Sequence, residues 1–172
     1  MNQSIAPHIV FLSWLFKGKA NTVERGFTLI ELLVVIVIGG ILSAIALPTF
    51  LSQANKAKES EARVYVGSVN RAQQTYFMEQ TAFSNDIDKL GLGISKTTEN
   101  YTYATVLDTD SGDDVAYTTA TQQPTTKQAL RAFSGQAWNG VSGSGLLSFA
   151  IVCESKPGGS PPTIASHQCP SP

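Results

Sequence analysis

Glu31 stands almost alone among apolar residues. It follows Gly26-Phe27-Thr28-Leu29-Ile30 and precedes Leu32-Leu33-Val34-Val35-Ile36-Val37-Ile38. The apolar span runs from Phe27 to about Leu51, and crossing a bilayer takes roughly 20 such residues. A carboxylate in hydrocarbon costs at least about 2.5 kcal/mol and calls for a cationic partner. A cut between Gly26 and Phe27 would create one. The new α-amine of Phe27 is protonated near pH 7 and lies four residues from Glu31. It can pair with its own Glu31 or with Glu31 of a neighbouring copy. The second pairing is a rule for staggered assembly of identical helices in an apolar core. The plainer alternative is a membrane anchor with a stray Glu, but intramembrane carboxylates are rare.

The order Gly26, Phe27, Thr28, Leu29, Glu31, then apolar span resembles the processing site of type IV prepilins. The resemblance implies that a prepilin peptidase cuts after Gly26 and that the new N-terminal Phe27 is methylated. It also implies that Glu31 governs assembly into a homo-oligomeric filament. The partners implied are that peptidase/methylase, the pilus assembly machinery, and the membrane before assembly.

The elements that must position these residues divide the chain into four stretches. Residues 1–26 form a leader, 27–51 a membrane-spanning and assembly half-helix, 52–80 an amphipathic half-helix, and 81–172 a globular head. Within the leader, Ile5–Phe16 is an apolar patch interrupted by Pro7 and His8. It imitates a secretory signal, but its charges follow the patch and no small-residue cleavage site comes next. Lys17, Lys19 and Arg25 precede the true span. By the positive-inside rule they hold that end in the cytoplasm, so the head faces outward and becomes extracellular on assembly. The leader is longer than the short polar leaders of many family members.

Helical periodicity continues past the membrane. Ala62, Tyr65, Val69, Ala72 and Tyr76 recur at spacings of three and four, an apolar stripe that packs on the head. Glu59 and Arg63 stand at the favourable i,i+4 spacing. The helix is expected from Phe27 to about Met78. Its weak stretch is Gly40 to Pro48, because Pro48 has no N–H for the carbonyl of Ala44 and Gly39 and Gly40 each lower helix propensity by about 1 kcal/mol. The resemblance implies that this helix-breaking Gly40 and Pro48 interval can become extended in a filament. The kink alone is also common in ordinary membrane helices. A second proline that many pilins carry is absent; Ser68 stands there.

The head begins with a loop and short turn from Thr81 to Gly93. Tyr76–Phe83 and Leu90-Gly91-Leu92 resemble the segment after the helix in cyanobacterial pilins and related pseudopilins. Four strands are expected: Tyr101–Leu107, Val115–Ala120, Ala129–Trp138 and Leu146–Cys153. The last is nearly all apolar and reads as the central strand. Asn139-Gly140, extended by Gly143-Ser144-Gly145, reads as the turn before it. The fold class is α+β and pilin-like: one long N-terminal helix packed on a C-terminal antiparallel sheet of about four strands. The tail from Pro157 to Pro172 has no periodicity. Cys153 and Cys169 are the only cysteines. In an exported head they are expected to form a disulfide that restrains the tail, contributing about 3 kcal/mol; the alternative is two free thiols.

Other chemistry is poorly supplied. The chain has 172 residues, 12 basic and 13 acidic, net charge −1. Removing residues 1–26 takes three basic residues and one acidic, leaving net −3, so no specific nucleic-acid partner is expected. Asp108-Thr109-Asp110-Ser111-Gly112-Asp113-Asp114 lacks the alternate ligands and the later Glu of a calcium loop, and reads as a solvated acidic turn. No metal and no cofactor is expected. His8 and His167 are the only histidines; no phosphate loop, zinc spacing or nucleophile elbow occurs. Asn100-Tyr101-Thr102 fits an N-glycosylation pattern that is frequent by chance. The chain therefore reads as a filament subunit without catalytic activity, with a pseudopilin of a secretion system as the alternative.

Overall fold

A computed structural model describes residues 26–142 and 145–171. The leader, with its Ile5–Phe16 patch, lies outside the described residues. The chain comprises two compact units, one ending at Ala44 and one spanning Ile45–Pro172. A single helix, α1 (Leu29–Gln80, 52 residues), contributes to both. Leu and the β-branched Ile and Val fill most of its first part, and every residue from Phe27 to Leu51 is exposed. The helix is long and apolar enough to cross a membrane. It ends at Thr81, whose left-handed backbone (φ 54°) lets its N–H donate to the Phe77 carbonyl at 2.8 Å.

In the second unit α1 packs on an antiparallel meander in chain order, β1 (Tyr101–Asp110), β2 (Asp113–Gln122), β3 (Arg131–Ser142) and β4 (Gly145–Pro157). A 3-10 turn at Ile87–Leu90 lies between helix and sheet. The buried stripe of α1 is Ala62, Tyr65, Val66, Val69, Asn70, Gln73 and Phe77. It begins as the 3–4 spacing predicts, but at its far end Gln73 and Phe77 replace Ala72 and Tyr76, which are only half-buried. The stripe drifts because the turn after the helix offers Gln73 a partner. Its side-chain N–H donates to the Ser84 carbonyl (2.6 Å) and its carbonyl accepts from the Ser84 N–H (2.9 Å). An amide paired at both its nitrogen and its oxygen is tolerated in a core. Tyr65 stacks on Tyr103 at 3.6 Å between ring centres, and Phe77 packs with Phe83, Ala116 and Ala137.

The face toward the helix carries small residues: Ala116, Thr118 and Ala120 on β2, Gly135 and Ala137 on β3. They let α1 approach closely. A Cβ at Gly135 would lie 2.5 Å from Val66 Cγ1 and 2.7 Å from Asn70 Oδ1. Asn70 also donates to the Ile151 carbonyl on β4 at 2.9 Å.

Two expectations about the sheet are corrected. Leu146–Cys153 lies in the edge strand β4, not in a central one; Leu146, Leu147 and Phe149 are 54, 47 and 39% exposed. The inner strands are the Thr-, Ala- and Gly-rich β2 and β3, because a sheet covered closely on both faces selects small side chains over long ones. Asn139-Gly140 is not a turn. Both residues continue β3, opposite Ser148 and Leu147. Pairing with β4 outweighs the local turn preference, and the bare Gly140 leaves room for the Phe149 ring, 3.3 Å from where its Cβ would stand. The pairing runs to Ser142↔Gly145.

Candidate functional site

The residues flanking the first turn of α1 carry the chemistry. Gly26, Phe27 and Thr28 lie outside regular structure, and the helix starts at Leu29. A Cβ at Gly26 would meet nothing within 4 Å, and Phe27 is 81% exposed. The junction is therefore an uncovered peptide outside the helix, which an enzyme cleft can reach. Thr28 caps the helix. Its hydroxyl accepts from the Glu31 N–H at 3.3 Å, and its carbonyl accepts from the Leu32 N–H at 3.2 Å. Thr28-Leu29-Ile30-Glu31 is thus a Thr-x-x-Glu start signal, the part of this site that sequence reasoning overlooked although the pattern was there to find. The cap places Glu31 in the first turn, where the helix dipole favours a negative charge. Among the described residues no hydrogen bond or ion pair reaches its carboxylate. The site thus consists of an accessible Gly-Phe bond and, one turn on, an unneutralised carboxylate on an all-apolar surface.

Further along, α1 remains helical through Gly39, Gly40 and Pro48. A Cβ at Gly39 or Gly40 would meet nothing, so neither glycine is required by packing within one copy.

The sheet face opposite α1 is covered by the tail. Cys153 and Cys169 form a disulfide with Cα atoms 5.5 Å apart. The bridge is not the tail's sole restraint. Tyr117 and Ser134 hydroxyls both donate to the Pro162 carbonyl, and the Ile164 N–H donates to the Tyr117 oxygen at 2.9 Å. Ile164 is buried. The His167 ring stacks on Trp138 at 4.3 Å. Asp110 explains the rest. Ser166 and His167 both have positive φ, which turns their successive N–H groups onto the Asp110 carboxylate at 3.0 and 3.2 Å. Gln136 donates to the same carboxylate at 2.9 Å. Chiefly through the Gln136 bond, the Asp110 pKa is pulled down to about 2. The clamp is therefore charged throughout the neutral range, and weakens only as pH falls from the ordinary carboxylate range toward that value.

The acidic run is accordingly the β1–β2 turn, reversing at Ser111 (φ 56°) and Gly112 (φ 91°). Asp110 is tied to the tail instead of being solvated. Asn100 of the glycosylation pattern is buried, and its carbonyl accepts from the Gln123 N–H. Among the described residues no cluster of His, Cys, Asp or Glu could hold a metal ion.

Replacing Cys153 or Cys169 with Ser is expected to destabilise the head by about 2–4 kcal/mol while leaving the tail docked through Asp110, Tyr117 and Ser134. Limited proteolysis of the tail, with and without reductant, checks this. Complete tail digestion on reduction alone contradicts the clamp.

Comparison with known proteins places these features together. A family model described as type IV pilin-like G and H matches residues 59–170. A prokaryotic N-terminal methylation motif matches residues 21–47. The chain is 41% identical over 74 residues to the type IV major pilin protein PilA of Myxococcus xanthus, covering 43% of this chain and 34% of that one. It is 34% identical over 83 residues to the type IV wide pilus major component PilA4 of Thermus thermophilus, covering 48% and 63%. It is 36% identical over 77 residues to the type IV major pilin protein PilE of Neisseria gonorrhoeae, covering 45% and 46%. The chain thus spans between about a third and under two thirds of the length of these curated relatives.

Proposed function

This chain belongs to the type IV pilin-like G and H family, and from that premise we propose that it is the precursor of a structural subunit of a type IV pilus. It is inserted in the cytoplasmic membrane with its head outside the cytoplasm. A prepilin peptidase cuts the bond after Gly26 and the new Phe27 amine is methylated. The subunit then leaves the bilayer for the filament, where α1 packs among its copies. The observation that carries the reading is the uncovered Gly26–Phe27 bond one turn before the unneutralised Glu31, at the head of an exposed apolar helix. An exposed surface of this kind is unstable in water and is stable in only two settings, a bilayer or a bundle of like helices. The Glu31 carboxylate distinguishes them: in the bundle it meets the Phe27 amine of a neighbour.

Gly40 and Pro48 fit the same cycle. The helix is intact in one copy, and its missing Ala44–Pro48 hydrogen bond makes this interval the first to extend when copies pack. The pseudopilin alternative gains no support from the relatives, whose names are those of pilus and fimbrial proteins.

Mass spectrometry of subunits sheared from cells tests the reading. The expected mass begins at Phe27 and carries one added methyl group. Gly26→Val, which places a branched side chain at the cut, is expected to reduce cleavage on the order of 100-fold, the scale of misplacing a reacting bond by about 1 Å. The precursor then accumulates in the membrane. Fibres built from subunits that still begin at Met1 refute the assignment.

A further inference from the structure

The two ends of the sheet differ in charge and polarity. β1 spans nine steps from Tyr101 to Asp110, so the ends lie about 30 Å apart at ~3.3 Å per residue. The first end gathers the start of β1, the β2–β3 connection, the end of β4 and the α1 segment beside them. Lys58 donates to Gln128, Glu59 accepts from the Arg131 N–H, and Arg63 pairs with Glu154. Lys56, Lys127 and Lys156 are exposed there, and no described ion pair reaches them; the opposing free charges are Glu61 and Glu99. The other end holds the β1–β2 and β3–β4 reversals. Asp108 and Asp114 are exposed and unpaired there, with Asp113 held near His167.

At that second end β4 also exposes Leu146, Leu147 and Phe149 on a free sheet edge. From Ala132 to Cys153 the chain has no charged residue. Natural edge strands normally carry charge or proline to discourage contact. The stretch of β4 from Gly145 to Cys153 lacks both, its Glu154, Lys156 and Pro157 all standing at the opposite end of the strand, which marks this end as a surface to be covered. We propose that the apolar, acid-flanked end of β4 packs against the lysine-bearing end of a second copy of this chain. The contact is head to tail. Lysine fits both parts of the opposing surface, since its methylene stem covers apolar side chains while its ammonium reaches a carboxylate. Two different patches on one chain give a heterologous contact, which does not form a two-fold dimer and propagates into an open filament wherever its rotation does not close into a ring. The proposal rests on the subunit reading above, and assigns how the globular parts of successive subunits pack.

The test is a charge swap in cells whose sole copy is the variant. One variant carries Asp108→Lys with Asp114→Lys, a second Lys127→Glu with Lys156→Glu, and a third all four. Sheared fibres are pelleted at low and high salt. Each reversal is expected to lower fibre recovery on the order of tenfold at low salt, and the combination to restore it to within about twofold. Where a reversal fails to yield intact, disulfide-bonded protein, the neutral pairs Asp108→Asn/Asp114→Asn and Lys127→Gln/Lys156→Gln replace it. They are expected to flatten the salt dependence of recovery, because 1 M salt shortens screening to about 3 Å. Loss from the lysine variants alone, or loss without recovery in the combination, overturns the contact and points to a different partner for the lysines. Unchanged yield and salt dependence also overturn it. Unaltered cells whose fibres lack this chain overturn instead the subunit reading.

Discussion

Glu31→Ala is expected to spare cleavage and remove the fibres. In the proposed processing the peptidase would meet the Gly26–Phe27 junction, which the substitution leaves untouched and uncovered. In the filament, however, each Phe27 ammonium would enter an apolar core with no carboxylate to meet it. An unpaired charge in such surroundings costs at least about 2.5 kcal/mol, so fibre yield should fall on the order of 50-fold or more. Processed monomer should accumulate in the membrane. Glu31→Asp keeps the charge on a shorter arm and should be intermediate. Glu31→Gln keeps hydrogen bonding without charge and should behave like Glu31→Ala. Losing the charge at the helix start costs only about 0.3–1 kcal/mol, less than the effect expected on assembly, and the Thr28 hydroxyl on the backbone N–H of residue 31 is retained in every variant. Immunoblots of membrane and sheared fractions read both steps. Normal fibre yield from Glu31→Ala, with no unaltered subunit present, refutes the pairing.

Gly135→Ala should be the most damaging single methyl group in the head. Its Cβ would stand 2.5 Å from Val66 Cγ1 and 2.7 and 2.8 Å from the two terminal atoms of Asn70. Val66 is fully buried and β-branched, so it has little freedom to turn away. Asn70 is nearly buried and held by its bond to Ile151. Relief requires the helix to move off the sheet, at about 1–3 kcal/mol, or on the order of 10 °C in Tm. Gly67→Ala is the matched control one face away: its Cβ would meet nothing, and removing a helix-interior glycine should stabilise by about 0.5–1 kcal/mol. Thermal unfolding of the detergent-solubilised chain measures both. A Gly135→Ala protein as stable as the parent refutes the close helix–sheet contact.

Much of the architecture could be read in advance because it follows from local pattern. Uninterrupted apolarity marks the first part of α1, a 3–4 stripe marks the second, and short β-prone runs separated by Gly, Asn and Asp mark a meander. The helix end at Gln80, the four strands and their order agree with that reading. The disulfide was legible from the compartment and from there being only two cysteines. The failures share one cause. The place of β4 at the edge, the continuation of β3 through Asn139-Gly140, and the turn of the stripe toward Gln73 and Phe77 depend on what lies across from each residue. Apolar content alone does not say which strand is central when the inner strands need small residues to be covered on both faces.

The same division holds for the sites. Gly26, Phe27 and Glu31 are contiguous, and their proposed roles depend on one covalent bond and one helical turn, so residue order suffices to nominate them; Thr28 was equally available from its spacing to Glu31. The tail clamp was not. Asp110, Tyr117, Ser134, Gln136 (through the His167 ring) and Trp138 lie 28 to 57 residues from the tail groups they hold, and only the pairing of β1, β2 and β3 brings them onto one face. The same pairing separates the free lysines from the free aspartates by the length of the sheet. Local composition determines which segments become helix, strand or membrane span, because those choices depend on neighbours along the chain. Which side chains meet across the sheet depends on register, and register is settled only when all the strands pair at once.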